Sequence, residues 1–460
     1  MTDLPALPSG FQLGTATASY QIEGAVEADG RGPSVWDAFT ATPGRTVDGD
    51  TGAVACDHYH RMPEDVALVR ELGSDVYRFS IAWPRVLPTG SGPVNAAGLD
   101  FYERLVDELV AAGVTPAATL FHWDLPLALQ DAGGWQSRDT AERLAEYAAV
   151  VGARLGDRVG MWMPLNEPVV VTLLGHALGV HAPGLELGFG ALPVAHHQLL
   201  AHGLAVQALR AAGVVGGIGI ANNHVPVWPA SESPEDEGAA DLFDLIYNRL
   251  FADPLLLGTY PDGFADAMPG PVADDLTVIS APLDFYGVNY YNPWLVGAPG
   301  TATDAAPVLD EVVVPPEIGF EPRQLLGRET TDFGWPIVPE GLTETLQTLQ
   351  SRYPRLPPVW ITESGCSYHD AVGPDGAVHD TRRIAYHDAH LRAVLRAIDS
   401  GVDVRGYLAW SLLDNFEWAD GYRQRFGLVH VDYSTLQRTP KDSYAWFQRL
   451  AALRPPAPPE

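Results

Sequence analysis

Eight short runs rich in Val, Ile, Phe, Tyr and Trp recur along the chain, at Phe11 to Ala18, Val76 to Ile81, Thr115 to Phe121, Gly160 to Leu165, Val215 to Ala221, Phe285 to Tyr290, Val359 to Thr362 and Gly406 to Ser411. Few of them alternate apolar with polar positions, as a half-exposed antiparallel strand does. Near-continuous apolar runs are instead the pattern of parallel strands covered on both faces. Between them lie segments with helical spacing and stop signals, among them Asn95 to Ala112 before Gly113, Thr140 to Leu155 before Gly156, and Asp380 to Asp399 ahead of Gly401. Eight strands alternating with helices predict an α/β fold, a single (β/α)8 TIM barrel with its active site at the C-terminal face of the strands. No internal repeat stands out and no Gly/Ser linker divides the chain. One catalytic domain over residues 1–460 is therefore expected, with a core over about 11–447 and a tail over 448–460 that frays at Arg454 to Glu460. The longest irregular stretch, Val296 to Gly334, follows the sixth run, where a barrel places a loop at its mouth. A substrate-entry loop and a surface loop without a role fit it equally well.

Composition narrows the partners. The 460 residues carry 58 acidic and 28 basic side chains, a formal charge of −30, which repels phosphate backbones and anionic membrane surfaces. No nucleic acid and no membrane partner is expected. Lys441 is the only lysine. Cys56 and Cys366 are too few for a disulfide framework or a structural zinc site. Met1 to Gly10 lacks a basic region followed by an apolar one, and no run of eighteen apolar residues occurs, so a cytoplasmic location is expected.

In a barrel of this kind the chemistry sits just after each strand. The first run leads to Tyr20, Gln21 and Glu23; the second contains Arg78 and leads to Trp83; the third ends in Phe121-His122-Trp123-Asp124. The fourth ends in Asn166-Glu167-Pro168, the sixth in Asn289-Tyr290-Tyr291, the seventh in Thr362-Glu363-Ser364-Gly365, and the eighth in Trp410-Ser411 with Asn415-Phe416-Glu417-Trp418 beyond. Singly, each has a plain reading: a helix-start acid, a turn carboxylate, a barrel ion pair, a core indole. Together they place two carboxylates, an arginine, a histidine and several indoles on one rim, which stability alone does not require. That inventory suits a sugar site. Hydroxyls need polar partners, pyranose faces stack on aromatic rings, and glycosidic cleavage needs an acid and an anion.

The strings FQLGTATASYQIEGA, DVYRFSIAWPR, FHWDLP, PLNEP, DFYGVNYY, WITESG and YLAWSLLDNFEW, followed by RFGLVHVD, resemble those of glycoside hydrolase family 1, the β-glucosidase family, in order from about Phe11 to Phe447. The resemblance implies a retaining β-glycosidase that removes the terminal non-reducing β-D-glucosyl residue of β-glucosides and cello-oligosaccharides, with β-galactosides and β-fucosides as further substrates, in cellulose breakdown. It makes Glu167 the acid/base and Glu363 the nucleophile. It further implies that Gln21, His122, Trp123, Asn166, Glu417, Trp418 and Phe426 bind substrate, that Trp410 stacks beneath the sugar, and that Arg78, Asn289 and Tyr291 support the nucleophile. No metal and no cofactor is implied, and the oligomeric state is left open. In the mechanism so implied, Arg78 and Tyr291 hold Glu363 ionised while its charge keeps Glu167 protonated. Glu417 stands where relatives acting on 6-phosphoglycosides carry Ser, which points to an unphosphorylated sugar. Arg423 and Arg425 are expected to be rim or structural residues. The family motif often reads T-F-N-E-P, whereas Met163-Pro164-Leu165 precede Asn166 here, and Ser364 stands where Asn is common.

Two other readings compete. A metal-dependent hydrolase is suggested by His58 and His60 at H-x-H spacing and by His196, His197 and His224. However, His58 and His60 precede Pro63-Glu64-Asp65, a helix-start signal, rather than ending a strand. A non-catalytic carbohydrate-binding barrel gains nothing from two like charges facing one pocket.

Overall fold

A computed structural model describes residues 4–300 and 314–454. Its strands are β1 (Gln12–Ala16), β2 (Val76–Ser80), β3 (Thr115–Phe121), β4 (Met161–Leu165), β5 (Gly217–Ile218), β6 (Ala221–Asn223), β7 (Val227–Pro229), β8 (Tyr286–Asn289), β9 (Trp294–Gly297), β10 (Glu321–Arg323), β11 (Val359–Ser364), β12 (Val404–Trp410), β13 (Val429–Asp432) and β14 (Gln437–Pro440). The main sheet runs β5-β4-β3-β2-β1-β12-β11-β8-β6, with every pair parallel. Its two ends, β5 and β6, are halves of one segment, so the sheet closes on itself into a (β/α)8 barrel. All eight predicted runs are strands of it. The fifth is broken at Gly219 and Ile220, yet Gly219 N–H still donates to the Trp162 carbonyl at 2.9 Å and Gly287 N–H to that of Ile220 at 2.8 Å.

Strand alternation sorts the side chains. Val76, Ala117, Met161, Met163, Ala221 and Leu408 form a small buried cluster within the barrel, while Tyr77, Phe79, Leu120 and Trp162 join the larger one under the helices. Gly14 lets β1 and β2 approach, since a Cβ there would run into the Val76 carbonyl. The helices follow the predicted segments closely, at Ala96–Ala111, Arg138–Leu155 and Thr381–Asp399.

Two expectations need correction. The helix assigned to begin near Pro63 spans His58–Leu72 with Pro63 inside it, because Asp57, left-handed at φ 55°, starts it one turn and more earlier. His58 and His60 are thus helical. The stretch Val296 to Gly334, apart from residues 301–313, which lie outside the described residues, is not wholly irregular. Its flanks supply β9 and β10, which pair antiparallel with each other, and β9 pairs with β7. Arg454 ends the described part of the C-terminal tail; the rest of RPPAPPE lies outside it.

Beyond the C-terminal ends of β11 and β12 a buried charge network ties in the C-terminal part. Lys441 Nζ donates to Asp370 at 2.7 Å and Asp414 at 2.8 Å, Arg383 pairs with Asp370 and Asp380, and Arg425 with Asp414. Against burial, Lys441, Arg425 and Arg383 hold the Asp414 carboxyl below its usual range. No helix among the described residues is long and apolar enough to cross a membrane.

Candidate active site

Of the residues named above, His122, Trp123, Glu167, Tyr291, Glu363, Trp410, Glu417, Trp418 and Phe426 line one cleft at the barrel mouth, whereas Glu23 pairs with Arg85, Trp83 Nε1 donates to the Gly90 carbonyl and the Tyr290 hydroxyl to that of Val338, all away from it. Glu363 ends β11, where register shifts against both neighbouring strands mark an irregularity of the kind that re-aims a side chain. The glycine after it, Gly365, lies against the Trp410 carbonyl, where any Cβ would collide. Glu363 Oε1 accepts from Arg78 Nη1 at 2.6 Å and Oε2 from the Tyr291 hydroxyl at 2.7 Å. Arg78, itself buried on β2, spends its other donors on Thr119 Oγ1 at 3.1 Å, the Thr362 carbonyl at 3.2 Å and Asn166 Oδ1 at 2.6 Å. Its planar fork fixes the carboxylate of β11 and the amide after β4 with one side chain.

Glu167 follows β4 in the left-handed region, at φ 44°, its N–H donating to the Ala221 carbonyl at 2.8 Å. Trp123 (φ 79°) and Trp418 (φ 48°) share that unusual backbone and line the same cleft. Such conformations persist only where the surroundings impose them, and they cluster at functional sites. Glu167 Oε1 accepts from Asn289 Nδ2 at 2.7 Å and Asn223 Nδ2 at 3.0 Å. Asn289, expected beside Glu363, thus gives its amide hydrogens to Glu167 and, at 3.0 Å, to Asn166, while lying near enough to Glu363 to favour its anion.

The two carboxyls therefore sit in unlike surroundings. Burial, and then the charge of Glu363, pushes Glu167 up to about 8. Burial also raises Glu363. Arg78 and Tyr291 nevertheless oppose that rise with a charge and a short hydrogen bond. Glu167 accepts hydrogen bonds only from the amides of Asn289 and Asn223, and Arg78 favours its anion less than these do, which puts the proton on Glu167.

At the far end of the cleft, hydrogen-bond accounting fixes a tautomer. Asn166 Oδ1 accepts from both Arg78 and Asn289, so its Nδ2 donates to His122 Nε2 at 3.0 Å. Burial, and then Arg78, pushes the His122 pKa well down, leaving a neutral ring whose proton is on Nδ1. That Nδ1 is buried with no partner among the described residues, as is Gln21 Oε1. Gln21 is held by its Nε2, which donates to the Phe416 carbonyl at 2.9 Å, Asn415 Oδ1 at 3.1 Å and Glu417 Oε2 at 3.3 Å. One donor and one acceptor are thus left unengaged. Burial, then Asp420, pushes Glu417 well above its usual range. Trp123 Nε1 donates to the Asn166 carbonyl at 3.0 Å, and His122 lies near-parallel to Trp410 and to Trp418 at 5.9 and 6.0 Å. Phe426 packs 5.9 Å from Trp335, which with Phe333 brings the end of the predicted entry stretch onto the cleft wall.

Asn223 escaped the sequence reading, although Asn222-Asn223-His224 directly follows the fifth apolar run and the strand-end rule applied there would have found it. The histidines of the metal reading are engaged elsewhere. His58 bonds Asp65, His196 bonds Tyr260 and Asp275, His197 the Trp135 carbonyl, and His224 bonds Asn248 and Tyr286. Arg423 faces Asp420, and Arg425 is taken by Asp414 and the Val431 carbonyl.

Residues 4–454 match the family model described as glycosyl hydrolase family 1. Beta-glucosidase A of Acetivibrio thermocellus is 45% identical, over 96% of this chain and 97% of its own. The bifunctional beta-D-glucosidase/beta-D-fucosidase of Bifidobacterium breve is 46% identical, over 97% and 98%. The solved structure of the family 1 β-glucosidase from Thermotoga maritima superposes with a TM-score of 0.91 at 44% identity, covering 98% of this chain and 99% of that one. The same enzyme has been solved in complex with isofagomine lactam.

Proposed function

This chain belongs to glycosyl hydrolase family 1, and on that footing we propose that it is a retaining β-glucosidase acting on unphosphorylated β-glucosides and cello-oligosaccharides. The observation that carries the reading is the pair of buried carboxyls on one cleft with unlike partners, Glu363 facing Arg78 and Tyr291, Glu167 facing amides alone. Glu363 attacks the anomeric carbon as Glu167 gives its proton to the departing oxygen, and the sugar becomes an ester of Glu363. Esterification removes the charge that helped raise Glu167. Its pKa falls, and it takes a proton from the water that hydrolyses the ester. Tyr291 and Arg78 receive the carboxylate again when it leaves.

Gln21 Oε1, His122 Nδ1 and Glu417 bind the sugar hydroxyls, and Trp410 forms the floor. The name of the Bifidobacterium breve relative supports β-fucosides as further substrates. A free C6 hydroxyl rather than a phosphate is supported by Glu417 and by the close pairing of Arg425 with Asp414. The test compares kcat/KM for p-nitrophenyl β-glucoside and its 6-phosphate. The free sugar is expected to be strongly preferred, and preference for the phosphate would overturn the reading.

A further inference from the structure

The two amides that meet Glu167 are neighbours across one rung of the main sheet. In the parallel pairing of β6 with β8, Asn223 stands opposite Asn289, and both donate to Glu167 Oε1. The ladder behind this rung is short. β6 has three residues, follows the break at Gly219 and Ile220, and is continued by one bond from His224 N–H to the Asn289 carbonyl at 3.0 Å.

Side chains on the opposite face add to what the short ladder supplies. Alternation turns Asn222 away from the cleft, to the face of β8 that carries Tyr286 and Val288. Asn222 Nδ2 donates to the Tyr286 hydroxyl at 2.8 Å, and His224 Nε2 lies 2.8 Å from the same oxygen. On its other side, His224 Nδ1 is 3.1 Å from Oδ1 of Asn248, which sits in a π-helical turn, Leu245–Arg249. The proton positions follow from the end of the chain. Asn248 Nδ2 faces the Val225 carbonyl at 2.9 Å and the Asp244 carboxylate, itself paired with Arg352, at 2.8 Å, so Asn248 Oδ1 accepts and His224 Nδ1 donates. His224 Nε2 therefore accepts from the Tyr286 hydroxyl, whose oxygen takes the hydrogen of Asn222. Burial pushes His224 down to about 4, which keeps the ring neutral and the chain pointing one way at neutral pH. Asn222, His224, Asn248 and Tyr286 are all buried, where such a directed chain selects one arrangement of the strands that carry it.

Resting on the reading of Glu167 as proton donor, we infer that His224 is a positioning residue: through Tyr286 it ties the ends of β6 and β8 together and so keeps the Asn223 and Asn289 amides on Glu167 Oε1. His224 does not line the cleft and acts only through its two neighbours on the rung.

Tyr286→Phe takes one oxygen out of the chain, and His224→Gln cuts it at the ring. With the full-length protein, kcat/KM is compared for methyl β-glucoside, whose leaving group must be protonated, and for 2,4-dinitrophenyl β-glucoside, whose leaving group needs no proton. Both variants are expected to lose roughly five- to thirty-fold on the methyl glucoside and no more than about two-fold on the dinitrophenyl glucoside. The alkaline limb of kcat/KM for the methyl glucoside is expected to move up by roughly half a unit, because bonds that favour the Glu167 anion loosen. The groups that face Glu167, namely Glu363, Arg78, Glu417, Tyr247 and Tyr291, and those that face the His224 ring, Asp244 and Arg352, stay in place in both variants. A lowered Tm with equal losses on the two substrates and an unmoved limb would make the chain structural only and overturn the assignment, as would unchanged kinetics in Tyr286→Phe. If His224→Gln does not fold, Tyr286→Phe, one buried atom smaller, decides alone. Equal losses on the two substrates in Glu167→Ala would instead overturn the reading of Glu167 beneath it.

Discussion

Replacing Glu167 by Gln isolates what burying an acid beside another acid does to the fold. Glu167 is 4% exposed, and its carboxyl titrates near 8 in the folded protein against 4.5 for the free side chain. Because the folded value is raised, the stability this group contributes is fully present below pH 4.5 and is lost as pH rises through about 8. At pH 7 the folded protein must hold a proton that the unfolded chain has released. The cost is the gap between 4.5 and 7 at 1.36 kcal/mol per unit, about 3 kcal/mol, growing to about 5 kcal/mol above pH 8. Gln does not titrate. Both protein bonds of Glu167 land on Oε1, which an amide oxygen can continue to accept, and the new NH2 replaces the oxygen left to the cleft. The variant is therefore expected to match the wild type in stability at pH 4.5 and to exceed it by about 3 kcal/mol at pH 7. For 460 residues that is a rise in Tm of about 3 °C. Calorimetry of both proteins from pH 4.5 to 8.5 reads the difference directly. A gap that does not widen with pH would mean that Glu167 is ionised at neutrality, and the assignment of the acid would fail with it.

Other outcomes follow from the same geometry. Glu167→Ala should still form the glycosyl-enzyme from dinitrophenyl glucoside, whose leaving group needs no proton, and azide should restore turnover; equal losses across leaving groups without rescue would contradict the acid/base role. Glu363→Ala should abolish hydrolysis, and NMR of the wild-type reaction should show the β-anomer first, an initial α-anomer being incompatible with a double displacement. In Asn223→Ala, loss of a bond that lowers the Glu167 pKa should move the alkaline limb of kcat/KM upward, with kcat/KM falling roughly two- to ten-fold; a limb that moves down or stays put would place Asn223 outside the proton donor's control.

The barrel strands were legible because parallel strands covered on both faces need apolar residues throughout, and eight such runs survive even where the fifth breaks at Gly219. The sheet of β7, β9 and β10 was not, since strands of three or four residues among Pro226, Pro229 and Pro322 carry too short a pattern to count. Likewise Pro63 reads as a helix start, and only the left-handed Asp57 shows that the helix has already begun. In the site, Glu167 and Glu363 could be named from their strand ends. What could not be read was the direction of Asn289, because alternation tells which face a side chain takes but not which of two neighbouring carboxyls it bonds. Asn223 was readable in principle and overlooked because the fifth strand's end carries amides instead of acids or indoles.

Lys441 has a practical side. The sole side-chain amine of the chain is 2% exposed and clamped between Asp370 and Asp414. Succinimidyl esters and aldehyde resins will find no lysine on the native surface, so multipoint coupling to a solid support is better routed through carboxylates, of which this acidic protein has many. The same amine becomes a reporter: once the network around it opens, it turns reactive, and the rate at which a mass label appears on Lys441 measures opening of the barrel's C-terminal seam without any engineered probe.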